Sequence, residues 1–305
     1  MQPSFRGARR SCGQHGTGDY RVSDLTELES ADAYCRYLTR HHYENFAVIS
    51  RFLPRDTRMH LARIYAFCRS TDEYGDESRC STIALARLSS WQAQVRQLFQ
   101  PDRAPVHPVL IALAKTVDAC RLSENLFLDL IQANIQDQTV TQYQDWEELE
   151  QYCMLSAAPV GRMVLGVFGI DSPRADRLSD DVCIGLQLAN HAQDVKRDAE
   201  KGRVYLLRSV RPLGDPAAIR DLCDRSARLL ESGRELEGLV PFALRAQLAL
   251  YRLGGMAVVA AIRGVGYRTD RVRPTLSAQD KIRIVAQAVT DSLAGVGNAI
   301  PQTVA

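Results

Sequence analysis

The sequence predicts an all-α protein, a single helical bundle with a cavity between its helices. Three observations carry this. From about Leu25 onward, apolar residues recur at three- and four-residue spacing. Alternating β-branched runs are hard to find, and Pro and Gly fall at intervals that cut the chain into roughly eight to eleven helices. The expected organisation is a disordered tail over residues 1–22 and one all-α domain over 23–305.

The periodic segments follow one another in order. A break at Pro54 precedes a helical pattern from His60 to Cys80, and another runs from Ile83 to Leu98. The Pro101–Pro108 stretch ends it, and Val109 to Cys120 comes next. Asp171–Pro173 opens the region containing the Leu178–Asp198 pattern, which Gly202 closes. Pro212–Pro216 and Pro241 mark further boundaries, Phe242 to Gly266 is the last long pattern, and Pro274 breaks the chain after it. A proline lacks the amide donor and crowds the preceding turn, so each marks a helix edge rather than an interior.

Composition narrows the function classes. A 305-residue chain that is 46% hydrophobic and 24% charged can bury a full core and is neither disordered nor collagenous. With 38 basic and 36 acidic residues the net charge is +2, so no global field draws the chain onto nucleic acid. The longest strongly apolar stretch between charges, Leu253 to Ile262, is too short for a bilayer, which needs about 20 residues. The Arg- and Gly-rich N-terminus has no apolar h-region and does not read as a secretory signal. The eight cysteines are scattered with no C-x-x-C, which fits reduced thiols in a cytoplasmic protein.

Two acidic stripes carry the chemistry. In RSTDEYGDE, residues 69–77, Asp72 and Asp76 are four apart and share a helix face with Arg69. Like charges at this spacing cost a few tenths of a kcal/mol. Gly75 in the same helix costs up to about 1 kcal/mol more. A segment carrying both penalties answers to something other than helix stability. In QLANHAQDVKRDAEKGRVYLL, residues 187–207, Gln187, Asn190, Asp194 and Asp198 lie on one face, with Lys201, Arg203 and Tyr205 close behind. A lone D-x-x-x-D is usually a solvated helix face. Two such stripes in apolar helices, each with amide or basic companions, instead fit a diphosphate bridged by Mg²⁺. That ion takes one or two carboxylates plus water and phosphate oxygens, and Arg or Lys supplies the remaining phosphate contacts.

These segments resemble the squalene/phytoene synthase family of head-to-head prenyl synthases, from about Tyr34 to Ser277. YAFCRSTDEYGDE resembles its first Asp-rich motif, LQLANHAQDVKRDAEKGRVYL its second, and YCMLSAAPVG the Tyr-containing segment between them. HHYENFAVISRFLP, SAAPVGRMVLGVFG and GYRTDRVRPTLS resemble the bacterial hopanoid-pathway branch, the hydroxysqualene synthases. Other branches usually carry Ser-Phe-Tyr at Asn45–Ala47 and Val-Ala-Gly at Ser156–Ala158.

The resemblance implies an isoprenoid-synthase bundle with a central cavity, located in the cytoplasm or at the membrane periphery. It implies Mg²⁺ as cofactor and presqualene diphosphate as substrate, ionised with loss of diphosphate and quenched by water to hydroxysqualene. One pathway partner enzyme would supply the intermediate and another would reduce the product. The alternative is a squalene, dehydrosqualene or phytoene synthase joining two prenyl diphosphates such as farnesyl diphosphate.

By motif position, Asp72, Asp76, Asn190, Asp194 and Asp198 would hold metal, and Arg69, Lys201 and Arg203 would contact phosphate. His42, Tyr43, Asn45, Tyr65, Gln187 and Gln193 match substrate-contacting positions, with Glu44 and Asn45 as departures from the family pattern. Tyr152 matches the Tyr near the ionising centre, and Tyr205 and Tyr267 are lesser candidates. Met163 to Phe168 is a candidate apolar wall. His191 stands where an apolar residue is usual. A lone His is more often structural, and positioning a water is its alternative role. A non-catalytic relative would be expected to lose the aspartates, and a di-iron bundle needs Glu-x-x-His motifs, which this chain does not contain.

Overall fold

The computed structural model describes residues 27–42, 53–78 and 80–294. Among these the chain forms α1 (Glu27–His42), α2 (Arg55–Asp76), α3 (Ser81–Leu98), α4 (Pro108–Cys120), α5 (Glu124–Gln136) and α6 (Trp146–Ser156). It continues through α7 (Ala158–Val167), α8 (Pro173–Gln193), α9 (Val195–Glu200), α10 (Asp215–Leu239), α11 (Phe242–Gly264) and α12 (Ala278–Ala294). No strand occurs among the described residues; one isolated parallel bridge joins Gln142 to Val204.

The described residues thus hold twelve α-helices, more than the eight to eleven read from the breaks. Two splits account for this. Ala157 leaves helical geometry just ahead of Pro159, separating α6 from α7. Asp194 caps α8 and opens α9, so the stripe from Gln187 to Asp198 spans two helices rather than one. Backbone bonds from Asp194 to Asn190 (2.8 Å) and from Asp198 to Asp194 (2.9 Å) bridge the junction. The register of the stripe therefore survives a break that periodicity alone does not reveal.

Helix starts use local chemistry. His107 and Ser172 accept from the amides of Val109 and Ala175 ahead of Pro108 and Pro173, and Asp145 accepts from Glu148 at the start of α6. A Cβ at Gly75 would lie 2.7 Å from Asn134 Oδ1, so the glycine lets α2 approach α5.

Among the described residues, three apolar clusters fill the bundle. One gathers α2–α5 around Phe67, Trp91 and Phe127, with Phe67 edge-on to Phe127 at 5.1 Å. A second, from α6, α8, α10 and α11, includes Tyr143, Tyr152, Leu188 and Tyr205. A third packs Leu165, Leu178, Leu236 and Leu244. Met163 belongs to the first cluster and Leu165 to the third, with Phe168 packed against it; these members of the expected apolar wall sit within the packed interior. Arg252, 2% exposed, is paired with Glu237 at 2.6 Å and Asp291 at 3.4 Å. Seven cysteines among the described residues are free thiols. No described helix is long and apolar enough to cross a membrane.

Candidate active site

On α2, Tyr65, Arg69, Asp72 and Asp76 follow at spacings of four, three and four, along one face. Asp72 is solvent-accessible yet crowded by surrounding protein, and it accepts a long hydrogen bond from Asn134 Nδ2, 3.4 Å. Desolvation pushes its pKa up to about 6; the Asn134 bond works against the rise and neighbouring Asp76 adds to it. Asp76 behaves differently. Burial also works to raise its pKa, but Lys201 at 2.9 Å and Arg203 at 2.8 Å outweigh that and hold the carboxyl below its ordinary range.

The segment after α9 delivers those cations. Val204 donates to Thr141 (2.8 Å) and Arg208 to Tyr143 (3.1 Å), which lays residues 203–208 beside 141–144. Arg203 and Tyr205 are thereby carried to Asp137, at the end of α5. Tyr152 donates to Asp137 at 3.0 Å, Tyr205 donates to its other oxygen at 3.4 Å, and Arg203 stands 3.8 Å away. The two phenol oxygens are 3.4 Å apart. Desolvation raises the Asp137 pKa despite Arg203. Burial, then the Asp137 charge, pushes both phenols well above their ordinary range. Tyr152 is therefore a neutral, pinned hydroxyl within an aromatic pile, with Tyr143 at 5.2 Å and Tyr205 at 5.7 Å between ring centroids.

The second acidic stripe is also partly engaged. Asp194 is in contact with Arg273, whose Nη2 donates at 3.2 Å, and Arg197 is 3.6 Å away. Arg273 also donates to Gln193 Oε1, while Gln193 Nε2 donates to the Pro274 carbonyl at 2.6 Å, so Gln193 anchors the loop after α11. Asp198 lies 3.8 Å from His191 Nδ1, and the His191 ring stacks on Tyr205 at 3.5 Å. Asn190 is exposed and Gln187 is half-buried on α8.

Other expected site residues are distributed less compactly. Arg69 pairs with Glu73 (3.0 Å) and Glu77 (2.6 Å) on its own helix and the turn beyond. Tyr65 is half-buried; burial raises its pKa, against Arg69 and with Asp72. Tyr267 has a left-handed φ of 58°, with its hydroxyl accepting from Arg263 and its ring under Arg220. Tyr43 and Asn45 lie outside the described residues, as does the side chain of His42.

Sequence reasoning assigned no role to Asp137, Asn134 or Arg273. Asp137 and Asn134 belong to no acidic stripe; their importance comes from α5 crossing α2 and the 203–208 segment. Arg273 lies in GYRTDRVRPTLS, a segment noted for its resemblance alone.

The donor set suits Mg²⁺. Among the described residues no three His, Cys, Asp or Glu groups converge as a ready metal cage. Mg²⁺ requires only one or two carboxylates when phosphate and water complete its shell. Asp72 is accessible, weakly bonded and destabilised as an anion, with Asp76 one turn on. Asp194 is held by Arg273 and would be open to a metal only on release of that pair.

A squalene/phytoene synthase family model matches residues 39–280. The phytoene synthase of Arthrospira platensis is 31% identical over 207 residues, 63% of this chain, and the match spans 65% of that relative, just under two thirds of its length. The hydroxysqualene synthase of Rhodopseudomonas palustris is 34% identical over 261 residues, 79% of this chain and 82% of that protein. The crystal structure of squalene synthase HpnC from Alicyclobacillus acidocaldarius aligns with a TM-score of 0.74 at 43% identity, covering 79% of this chain and 96% of that one. With the match running across both acidic stripes and the all-α bundle that carries them, this chain belongs to the squalene/phytoene synthase family.

Proposed function

We propose that this protein is a Mg²⁺-dependent isoprenoid synthase that ionises presqualene diphosphate and captures the cation with water, releasing hydroxysqualene and diphosphate. The carrying observation is the joining of Asp76 on α2 to Lys201 and Arg203 beyond α9. It sets two cations and an acidic stripe at one place, as a metal-bound diphosphate requires.

Breaking the carbon–oxygen bond of such a substrate places negative charge on the departing diphosphate. Mg²⁺, when bound by Asp72, Asp76, Asn190, Asp194 and Asp198, supplies Lewis-acid stabilisation of that charge. Lys201 and Arg203 turn from Asp76 to phosphate oxygens and stabilise it further, and Arg69 offers a third cation. Tyr152, held by Asp137, presents a fixed ring and hydroxyl beside the ionising centre, where the π-face tolerates positive charge. His42, Tyr43, Asn45, Tyr65, Gln187, Gln193, Tyr205 and Tyr267 are proposed to line or frame the substrate. The work is assigned to the cytoplasm or the membrane periphery, between an enzyme that makes the cyclopropyl intermediate and one that reduces the alcohol.

The resemblance to a named hydroxysqualene synthase over most of both chains supports water capture. A second reading, condensation of two prenyl diphosphates, is favoured by relatives named phytoene synthase and squalene synthase. Incubation with presqualene diphosphate and, separately, farnesyl diphosphate, with Mg²⁺ and without NADPH, separates them. Hydroxysqualene from the first substrate alone is expected. Phytoene or dehydrosqualene, or a hydrocarbon from farnesyl diphosphate alone, overturns the water-capture reading.

A further inference from the structure

We propose that His191 holds, through Nε2, the water that terminates the reaction, and so sets the share of product released as alcohol. This rests on the water-capture reading above. His191 is 6% exposed, and its Nε2 is buried with no hydrogen-bond partner. Buried polar atoms are nearly always satisfied, and one that the protein leaves open in a site is a place for an ordered water or a ligand atom.

Its position on the helix points the same way. His191 follows Gln187 by four residues and precedes Asp194 by three and Asp198 by seven, so it shares their stripe. The ring stacks on Tyr205 at 3.5 Å and 20°, and its centroid lies 6.4 Å from that of Tyr152. Nδ1 stands 3.8 Å from the Asp198 carboxylate. With Nδ1 turned toward that carboxylate, Nε2 is the ring nitrogen left to meet a water. An acceptor orients a water with one hydrogen toward the ring and a lone pair away from it.

The step balances without a redox partner. The carbon–oxygen bond to diphosphate breaks with its electron pair on the leaving group. The lone pair of the held water forms a new carbon–oxygen bond to the cation. The resulting oxonium sheds its proton to the released diphosphate, and His191 ends as it began.

The test uses presqualene diphosphate, Mg²⁺ and no nicotinamide, and measures alcohol formed per diphosphate released. His191→Phe keeps the ring and its stack on Tyr205 but removes both nitrogens. We expect the alcohol share to fall about tenfold, the factor one ordinary net hydrogen bond supplies. Diphosphate release should change far less, and His191→Gln, which restores an acceptor, should recover part of the alcohol. An unchanged alcohol share in His191→Phe overturns the proposal while leaving water capture standing. Diphosphate release without alcohol from the wild-type protein overturns both. Independently of any variant, a high-resolution crystal structure should show an ordered water or product oxygen within hydrogen-bond distance of Nε2, and a dry Nε2 overturns the proposal.

Discussion

The guanidinium of Arg273 lies against the carboxylate of Asp194, tying the loop after α11 to the end of α8. A positive side chain thus occupies a carboxylate that the proposed chemistry assigns to a metal. Arg273→Ala should tighten binding of Mn²⁺, used as a probe for Mg²⁺, in the absence of substrate. The pair is partly exposed, with Arg273 40% and Asp194 21% accessible. Such pairs are worth up to about 1 kcal/mol, so the gain should be at most about fivefold. Calorimetric titration reads it directly. Unchanged or weaker binding would show that the arginine does not compete for the site.

Asp72→Asn and Asp194→Asn should each lower turnover by at least about a hundredfold, the scale of losing a group that stabilises transition-state charge. Helix content by circular dichroism should be unchanged. Near-normal turnover in either variant rejects a site built from both acidic stripes. EDTA should abolish turnover and added Mg²⁺ restore it.

Asp72 carries a pH signature. Its folded-state pKa is raised from 3.8 to about 6, so the fold favours the protonated carboxyl. The resulting contribution to stability is present at low pH and is lost as pH rises through that interval. Metal binding has the opposite demand, since a ligand must be ionised. The apparent Mg²⁺ affinity should therefore weaken below about pH 6, by up to about tenfold per unit. Mg²⁺ activation curves between about pH 5 and about pH 7.5 test this, and a flat profile contradicts it.

Gly75→Ala should separate stability from activity. Replacing a helical glycine gains roughly 0.5–1 kcal/mol. The new Cβ, however, would meet Asn134 Oδ1 at 2.7 Å and push away the side chain that donates to Asp72. The two effects should leave the thermal midpoint nearly unchanged while turnover falls several-fold. A variant with full turnover would show that the Asn134 contact is dispensable.

Arg252 illustrates the structural use of charge. Arg252→Met strands Glu237, which is buried and paired with it at 2.6 Å. The expected loss is about 3–5 kcal/mol in chemical denaturation, because an unpaired buried carboxylate remains. Arg252→Met combined with Glu237→Leu should recover most of it. Additive losses in the double variant would contradict the assignment of the cost to the stranded charge.

Much of this architecture is legible in the sequence itself. Pro54, Pro108, Pro173 and Pro241 each mark a helix start, and the α3, α4 and α11 patterns end within two residues of their expected limits. Those boundaries are local, set by proline sterics and apolar spacing. The splits at Ala157 and Asp194 were not legible, because apolar periodicity continues across both. The two acidic stripes were visible as spacing on a helix face. Their partners were not: Lys201 and Asp76 are 125 residues apart, and Asp137 depends on a crossing of α5 with a non-helical segment. Nor does any spacing show that the carboxylates are held by the protein's own cations.

That self-pairing makes the cleft an ion exchanger. Asp76 is neutralised by Lys201 and Arg203, and Asp194 by Arg273, before an anion arrives. A diphosphate that draws Lys201 and Arg203 to its own oxygens leaves Asp76 uncompensated and ready for a cation. Anion and cation binding are then thermodynamically coupled, each raising affinity for the other by the same factor. Under the proposed chemistry, substrate and metal would load together. On departure of diphosphate, re-formation of the internal pairs would work against retention of a metal at Asp76 and Asp194 and would reset the site.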